Sequence, residues 1–368
     1  MTTAFTLPKW YDLHTHFRQD ATLKATVLDH VAMASAGALA MPNTMPPVGT
    51  VFESDASQRY LSVEGYREEI IAAANGAFDE VIVPLYLTAD TTPDMIEKGA
   101  ASGLLKACKY YPPHGTTGAD HASPLEGFIK NGVFTAMEEA GVTLCIHGEE
   151  HGLDGDRYFD RGENAEEIFY RERMPRLIDS FPSLRMVGEH LTTKVGVDLI
   201  TAAPAHVMAN ITPQHLLYTV GNLVKGLKYH LYCLPLVKFV EDRDALRSAA
   251  TDPNNSKFFA GTDSAPHTKK TTDCGCAAGC YTGGISPQLY AMAFEAAGVD
   301  MSSPIGQQAF KRFLCDIGPE FYGLNAPQDS FTLENAPKSV STLNIDGETI
   351  TPLSLGMDLD LTWRIKRD

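Results

Sequence analysis

Short apolar runs rich in β-branched and aromatic residues alternate along the chain with longer segments whose apolar residues recur at helical spacing. The runs predict strands at 10–13, 38–41, 81–87, 104–110, 142–146, 185–189, 205–211 and 258–261. Helices are predicted between and after them, at 21–36, 54–75, 93–101, 124–140, 163–180, 193–202, 236–251 and 286–297. Strict alternation is the pattern of parallel βαβ units, because a parallel neighbour needs a crossover long enough to hold a helix. Eight such units make a (β/α)₈ TIM barrel, an α/β fold, and leave no element over. The competing doubly wound sheet would carry a Gly-rich phosphate turn after its first strand, and no G-x-G-x-x-G follows Leu13. Beyond residue 303 a helix to Tyr322 is predicted, then short strands at 331–333, 342–345 and 362–365. With no repeat and no low-complexity linker, the chain reads as one barrel domain over 1–368 with a small C-terminal extension, 303–368.

Composition fits a large ordinary core: 44% of 368 residues are apolar, and 30 Gly with 22 Pro is near the globular average. Charge narrows the partners. Lys and Arg number 30 against 46 Asp and Glu, and a net charge of −16 opposes nucleic acid and acidic membrane surfaces. A small anionic substrate would therefore need a local positive pocket. The best apolar run, 31–41, is short and rich in Ala and Gly, so no membrane helix is expected. The opening residues lack a basic region leading into an apolar stretch, so a cytoplasmic setting is the expectation. Seven cysteines, an odd count, then argue for reduced thiols and no disulfide.

In a barrel of this kind the active site gathers at the C-terminal ends of the strands. Strand one runs into His14-Thr-His16, whose i, i+2 spacing puts two imidazoles on one face of an extended segment, able to grip one metal ion. Strand four ends at Lys109, five at His147, six at His190 and eight at Asp263. Each alone has an ordinary reading: a half-buried histidine, or an aspartate capping the Gly261-Thr-Asp263 turn. A lysine ending an apolar strand would normally reach for water. Burial weakens such an amine, and carbamylation by CO₂ would convert it to a carboxylate able to bridge two metals. Five coincidences at five strand ends are less economical than one shared site.

These residues resemble the amidohydrolase superfamily, which hydrolyses amide or ester bonds at a one- or two-metal centre. Within it, DLHTHFR, AMPNTMPPV, KYYPPHGTTG, HGE, EHLTTK, ITPQHLL, HLYCLPLVK and GTDSAPH, in this order, resemble the bacterial-type dihydroorotase family over nearly the whole chain. The resemblance implies that His14, His16 and Asp263 hold one zinc and His147 and His190 the other, with a carboxylated Lys109 bridging both. It implies the reversible interconversion of dihydroorotate and N-carbamoyl-L-aspartate in pyrimidine biosynthesis. Metal fits that chemistry, because it brings the pKa of bound water from about 15.7 to about 7 and can polarise the ring carbonyl. Asp263 would then act as general acid and base.

Arg18 offers a bidentate fork for the substrate carboxylate and, two residues beyond His16, is expected on the same extended face. By resemblance Asn43 and His267 complete that pocket, and the backbone at Leu234 and Ala278 meets the ring. The stretch Pro112-Pro-His-Gly-Thr-Thr-Gly118 has the content of a lid, with Thr116 and Thr117 as its substrate contacts by resemblance. Cys274-Gly-Cys-Ala-Ala-Gly-Cys280 supplies three thiols without a fourth ligand and reads as a tight loop beside the pocket. Two features depart from the family pattern: Gln19-Asp20 follows Arg18 where Asp-Gly is common, and the Cys loop carries an extra Ala, which shifts the Ala278 correspondence by up to one residue. A hydantoinase- or dihydropyrimidinase-like cyclic amidase would keep the metal ligands without needing Arg18, Asn43 and His267, and a non-catalytic scaffold would be free to lose the ligands. A homodimer stays open.

Overall fold

A computed structural model describes residues 3–113, 119–273 and 275–366. Its centre is a parallel barrel of eight strands: β1 Trp10–Thr15, β2 Ser35–Ala40, β3 in two segments Glu80–Ile82 and Leu85–Tyr86, β4 Ala107–Tyr110, β5 Thr143–Ile146, β6 Met186–Gly188, β7 Val207–Ile211 and β8 Phe258–Ala260. The lower segment of β3 pairs with β2 and the upper with β4, so the ring passes through the break between them. It closes where Asp263 N donates to His14 O at 2.8 Å and His16 N donates to Ser264 O at 2.9 Å.

Inside the ring, Tyr11, Leu13, Leu39, Ile82, Ala107, Cys145, Val187 and Phe259 pack as one apolar layer. Helix Ile317–Tyr322 plugs its lower end with Ile317 and Phe321. Gly318 permits that approach, since a Cβ there would lie 2.3 Å from Leu13 Cδ1. The helices on the outside start where the chain supplies caps: Ser62 accepts from Gly65 N, Thr92 from Met95 N ahead of Pro93, and Thr193 from Gly196 N.

Several predicted helices are shorter than their pattern. Within 54–75 the α-helix spans only Val63–Ala74, after a 3-10 turn at Glu53–Asp55, because Ser62 caps there and Leu61–Ser62 pairs with Val48–Thr50. The 124–140 helix breaks at Gly132, φ 82°, into Leu125–Lys130 and Val133–Ala140. Two helices widen into π turns, Phe169–Arg173 and Arg312–Asp316, each just before a proline (Pro175, Pro319) that lacks the amide hydrogen and crowds the carbonyl four residues back. The C-terminal strands stand at Ser330–Glu334, Leu343–Ile345, Glu348–Ile350 and Arg364–Ile365. A strand the pattern did not predict, Ala4–Pro8, pairs with Ser330–Glu334, and Phe5 packs edge-on against Phe310 and Trp363. The extension is thereby tied to the start of the chain. No helix among the described residues is long and apolar enough to cross a membrane.

Candidate metal centre and active site

Side chains alternate along a strand, so the positions one step above the apolar layer also face inward. On β4 this carries Ala107 to Lys109 and then Tyr111; on β5, Cys145 to His147; on β6, Val187 to Glu189; on β7, Met208 to Asn210. The barrel interior thus changes from apolar to ionisable within one residue pair. The β1–β2 register is irregular between Asp12 and Thr15, which turns His14 inward although Leu13 also faces the interior. Asp12 stays on the other side, binding His30 Nε2 at 2.9 Å and Thr262 Oγ1 at 2.6 Å.

One cavity is lined by His14, His16, Arg18, Asn43, Tyr111, His147, His190, Leu234, Asp263, Ala265, Ala278 and Gly279. It brings together most of the residues singled out from sequence. Lys109 lies buried beneath it, with no exposed surface. His267 adjoins it, its Nε2 lying 2.8 Å from Ala278 O and 3.4 Å from Arg18 Nη2. Thr116 and Thr117 lie outside the described residues, as does Cys274. The rest of the Cys loop flanks the pocket as expected, with Gly275–Cys276 paired to Thr271–Thr272.

Arg18 corrects an expectation. It does not continue the extended face of His16, because β1 ends at Thr15 and Arg18 has φ 61°. The guanidinium reaches the cavity through this turn, donating to Pro266 O at 3.4 Å. His190 (φ 40°) and Asp263 (φ 49°) are likewise left-handed, a backbone state that non-glycine residues hold only when their surroundings impose it.

The ligand atoms of His14, His16 and Asp263 all lie within 4.8 Å of one another, an arrangement able to hold a metal ion. Asp263 Oδ1 is 2.9 Å from His16 Nε2 and 3.3 Å from His14 Nε2. Each ring is oriented through its other nitrogen: His14 Nδ1 on Glu189, and His16 Nδ1 on Asn43 Oδ1 at 2.7 Å. His147 Nε2 is held by Glu149 Oε2 at 2.7 Å. The His190 ring lies 5.0 Å from that of His14 and 4.7 Å from that of His147, between the two halves of the cluster. Lys109 Nζ, Glu189 Oε1 and His190 Nδ1 are buried without hydrogen-bond partners among the described residues. Buried polar atoms left this way are costly, and a bound metal with a carboxylated lysine would satisfy such a set. The donor set therefore fits a metal ion at His14, His16 and Asp263.

The electrostatics follow from burial and partners. Burial opposes charge on Asp263, but hydrogen bonds from His14 and His16 outweigh it and hold the carboxyl well below its ordinary range. Burial opposes charging His14 too, yet Glu189 and Asp263 lift its pKa. His16 is pushed down to about 4, by burial first, against the pull of Asp263. Burial also lowers Lys109, only partly countered by Glu189.

Sequence reasoning missed Tyr111, Glu149, Glu189, Asn210 and the extra lining residues Ala265 and Gly279. Tyr111 was legible in principle, standing two residues past Lys109 at the same strand parity; Glu149 was not, because β5 ends at Ile146 and Glu149 N turns back to His147 O. Asn210 carried no signal, because β7 supplies no residue of the kinds that hold metal.

An eight-stranded barrel whose rim carries buried histidines, an aspartate and a desolvated lysine defines the amidohydrolase class of metal-dependent hydrolases. The relatives narrow it. The dihydroorotase of Halorhodospira halophila is 40% identical over 365 residues, covering 98% of each chain. The structure resembles that of Saccharomyces cerevisiae dihydroorotase in complex with 5-fluoroorotic acid, with TM-score 0.85, 26% identity, and coverage of 99% of this chain and 98% of that one. It shares its fold with the dihydropyrimidinase of Brevibacillus agri at TM-score 0.69 and 12% identity, over 99% of this chain and 83% of that one. No protein-family model matches the chain. The chain belongs to the dihydroorotase family, hydrolases that act on a cyclic amide.

Proposed function

We propose that the protein interconverts dihydroorotate and N-carbamoyl-L-aspartate at a two-metal centre. The observation that carries this reading is the coincidence, in one cavity, of the His14–His16–Asp263 cluster with the Arg18 guanidinium. A metal cluster alone serves any cyclic amidase, whereas a half-buried arginine aimed into the cavity calls for an anionic ring. The similar yeast structure, a complex with 5-fluoroorotic acid, supports a carboxylated ring as the ligand.

His14, His16 and Asp263 would hold one metal ion, and His147 and His190 the other, with zinc as the expected metal. Lys109, its amine weakened by burial, would be neutral enough to add CO₂ and bridge the two. When bound, the metals supply a Lewis acid for a carbonyl oxygen and bring the pKa of a water toward about 7. Asp263, kept ionised, takes a proton from the attacking water and returns it to the leaving amide nitrogen; ring closure reverses both transfers. Arg18, Asn43 and His267 hold the ring carboxylate. His267 does so as a neutral imidazole, since burial and the Arg18 cation push it down to about 3. The backbone at Leu234 and Ala278 meets the ring edge, and Thr116 and Thr117 would close over it. We read 1–368 as one barrel unit with 303–368 as its extension, acting in the cytoplasm.

The test is turnover of dihydroorotate against uncharged dihydrouracil by the zinc-loaded protein, with metal content measured alongside. Preference for dihydroorotate is expected. Preference for the uncharged ring would replace this reading with a hydantoinase-like one.

A further inference from the structure

Tyr111 follows β4 two residues after Lys109, so both side chains leave the strand on the same side, and Tyr111 lines the cavity. It is 3% exposed, and its hydroxyl is buried with no hydrogen-bond partner among the described residues. The ring is fixed from three directions, 5.0 Å from Lys109 Nζ, 5.0 Å from the Tyr86 ring and 6.3 Å from the His147 ring. A phenylalanine would fill this place without stranding a polar atom, so the hydroxyl gains no hydrogen bond from the described residues. Among the described residues nothing satisfies this phenol, which leaves a ligand entering the cavity to do so.

Position says which part of a ligand it meets. In a ring of eight strands, β4 stands opposite β8. Arg18 and His267, the groups assigned to the substrate carboxylate, come from the segments after β1 and β8. A ring held there by its carboxylate turns its far edge toward Lys109, His147 and Tyr111. In dihydroorotate that edge carries the amide that is cleaved.

We propose that the Tyr111 hydroxyl is a catalytic group, donating a hydrogen bond to the oxygen of the scissile ring amide. The bond strengthens as that carbonyl becomes tetrahedral and its oxygen takes up negative charge, so the contact favours the transition state over the bound ring. No proton is transferred from the phenol. The inference rests on the dihydroorotate reading above.

The experiment is Tyr111→Phe in the full chain, zinc-loaded, with kcat and KM on dihydroorotate, metal content, and the Tm of the metal-free protein. The expected result is a fall in kcat of about 10²-fold, the scale for losing one donor to a developing oxyanion. KM should stay within about threefold, a pattern that marks a contact made in the transition state. Metal content should not change, and the metal-free Tm should equal or exceed that of wild type, because no bond within the protein is lost. An unchanged kcat, a loss that tracks missing metal, a rise in KM alone, or a variant that fails to fold would each overturn the proposal. Wild type that turns over dihydrouracil but not dihydroorotate would instead defeat the substrate reading, and the placement of Tyr111 with it.

Discussion

The lower and upper layers of the barrel interior are built by the same strands, one residue pair apart, and both are almost fully buried. Below, Leu13, Ala107, Cys145, Val187 and Phe259 pack against the plug of Ile317 and Phe321. Above, Lys109, His147, Glu189 and Asn210 occupy the next inward positions. The lower layer is complete in itself, since apolar burial needs no directional partner. The upper layer is not, because Lys109 Nζ, Glu189 Oε1 and His190 Nδ1 are desolvated without partners among the described residues. Equal burial therefore means stability at one end and appetite for ligand at the other.

The sharpest test of that contrast pairs one substitution from each layer. If the proposed carboxylated Lys109 bridges two cations, Lys109→Ala should abolish turnover and drop metal content well below two per chain, with far-UV circular dichroism nearly unchanged, because the anion that would offset their repulsion is removed. Ile317→Ala should do the reverse, keeping metal while costing about 2–5 kcal/mol in denaturant unfolding. Full metal loading in the lysine variant would break the distinction.

Within the upper layer, Asp263→Asn keeps size but removes the basic oxygen, so kcat should fall by roughly 10²–10⁴. Metal analysis beside the rate separates proton transfer from ligand loss. Smaller again is the effect of the pocket wall. Arg18→Met should lower kcat/KM for dihydroorotate by about 10- to 150-fold, matching a charge-assisted bond of about 1.5–3 kcal/mol. Arg18→Lys should fall between, keeping charge but losing the fork, while slow turnover of dihydrouracil stays unchanged.

The smallest effect is on acid stability. His267 has its folded pKa pushed from 6.5 to about 3, so the folded state binds its proton less readily than the unfolded chain. Its contribution to stability is full above about pH 6.5 and is lost progressively as pH falls toward about 3. In metal-free protein, His267→Gln should show a shallower loss of unfolding free energy between pH 7 and pH 5, measured by denaturant titration. Identical slopes would place the imidazole in water.

The sequence by itself determined the order of strands, and with it which residues reach one rim. Alternating patterns place the strand ends within a few residues, and His14, His16, Lys109, His147, His190 and Asp263 are read off those ends because local periodicity reports strand position directly. It also carried the parity that links Lys109 to Tyr111. Tertiary structure alone decided how each side chain is aimed. The irregular register after Asp12 and the left-handed Arg18, His190 and Asp263 arise where strands and loops are over-constrained by neighbours remote in sequence. Asn210 illustrates the same limit. It accepts from His190 N at 2.6 Å and donates to Glu189, a role that exists only because β7 lies beside β6. The tie between Ala4–Pro8 and Ser330–Glu334 was equally silent in the pattern, since a strand pairing across more than 300 residues leaves no periodic mark at either end.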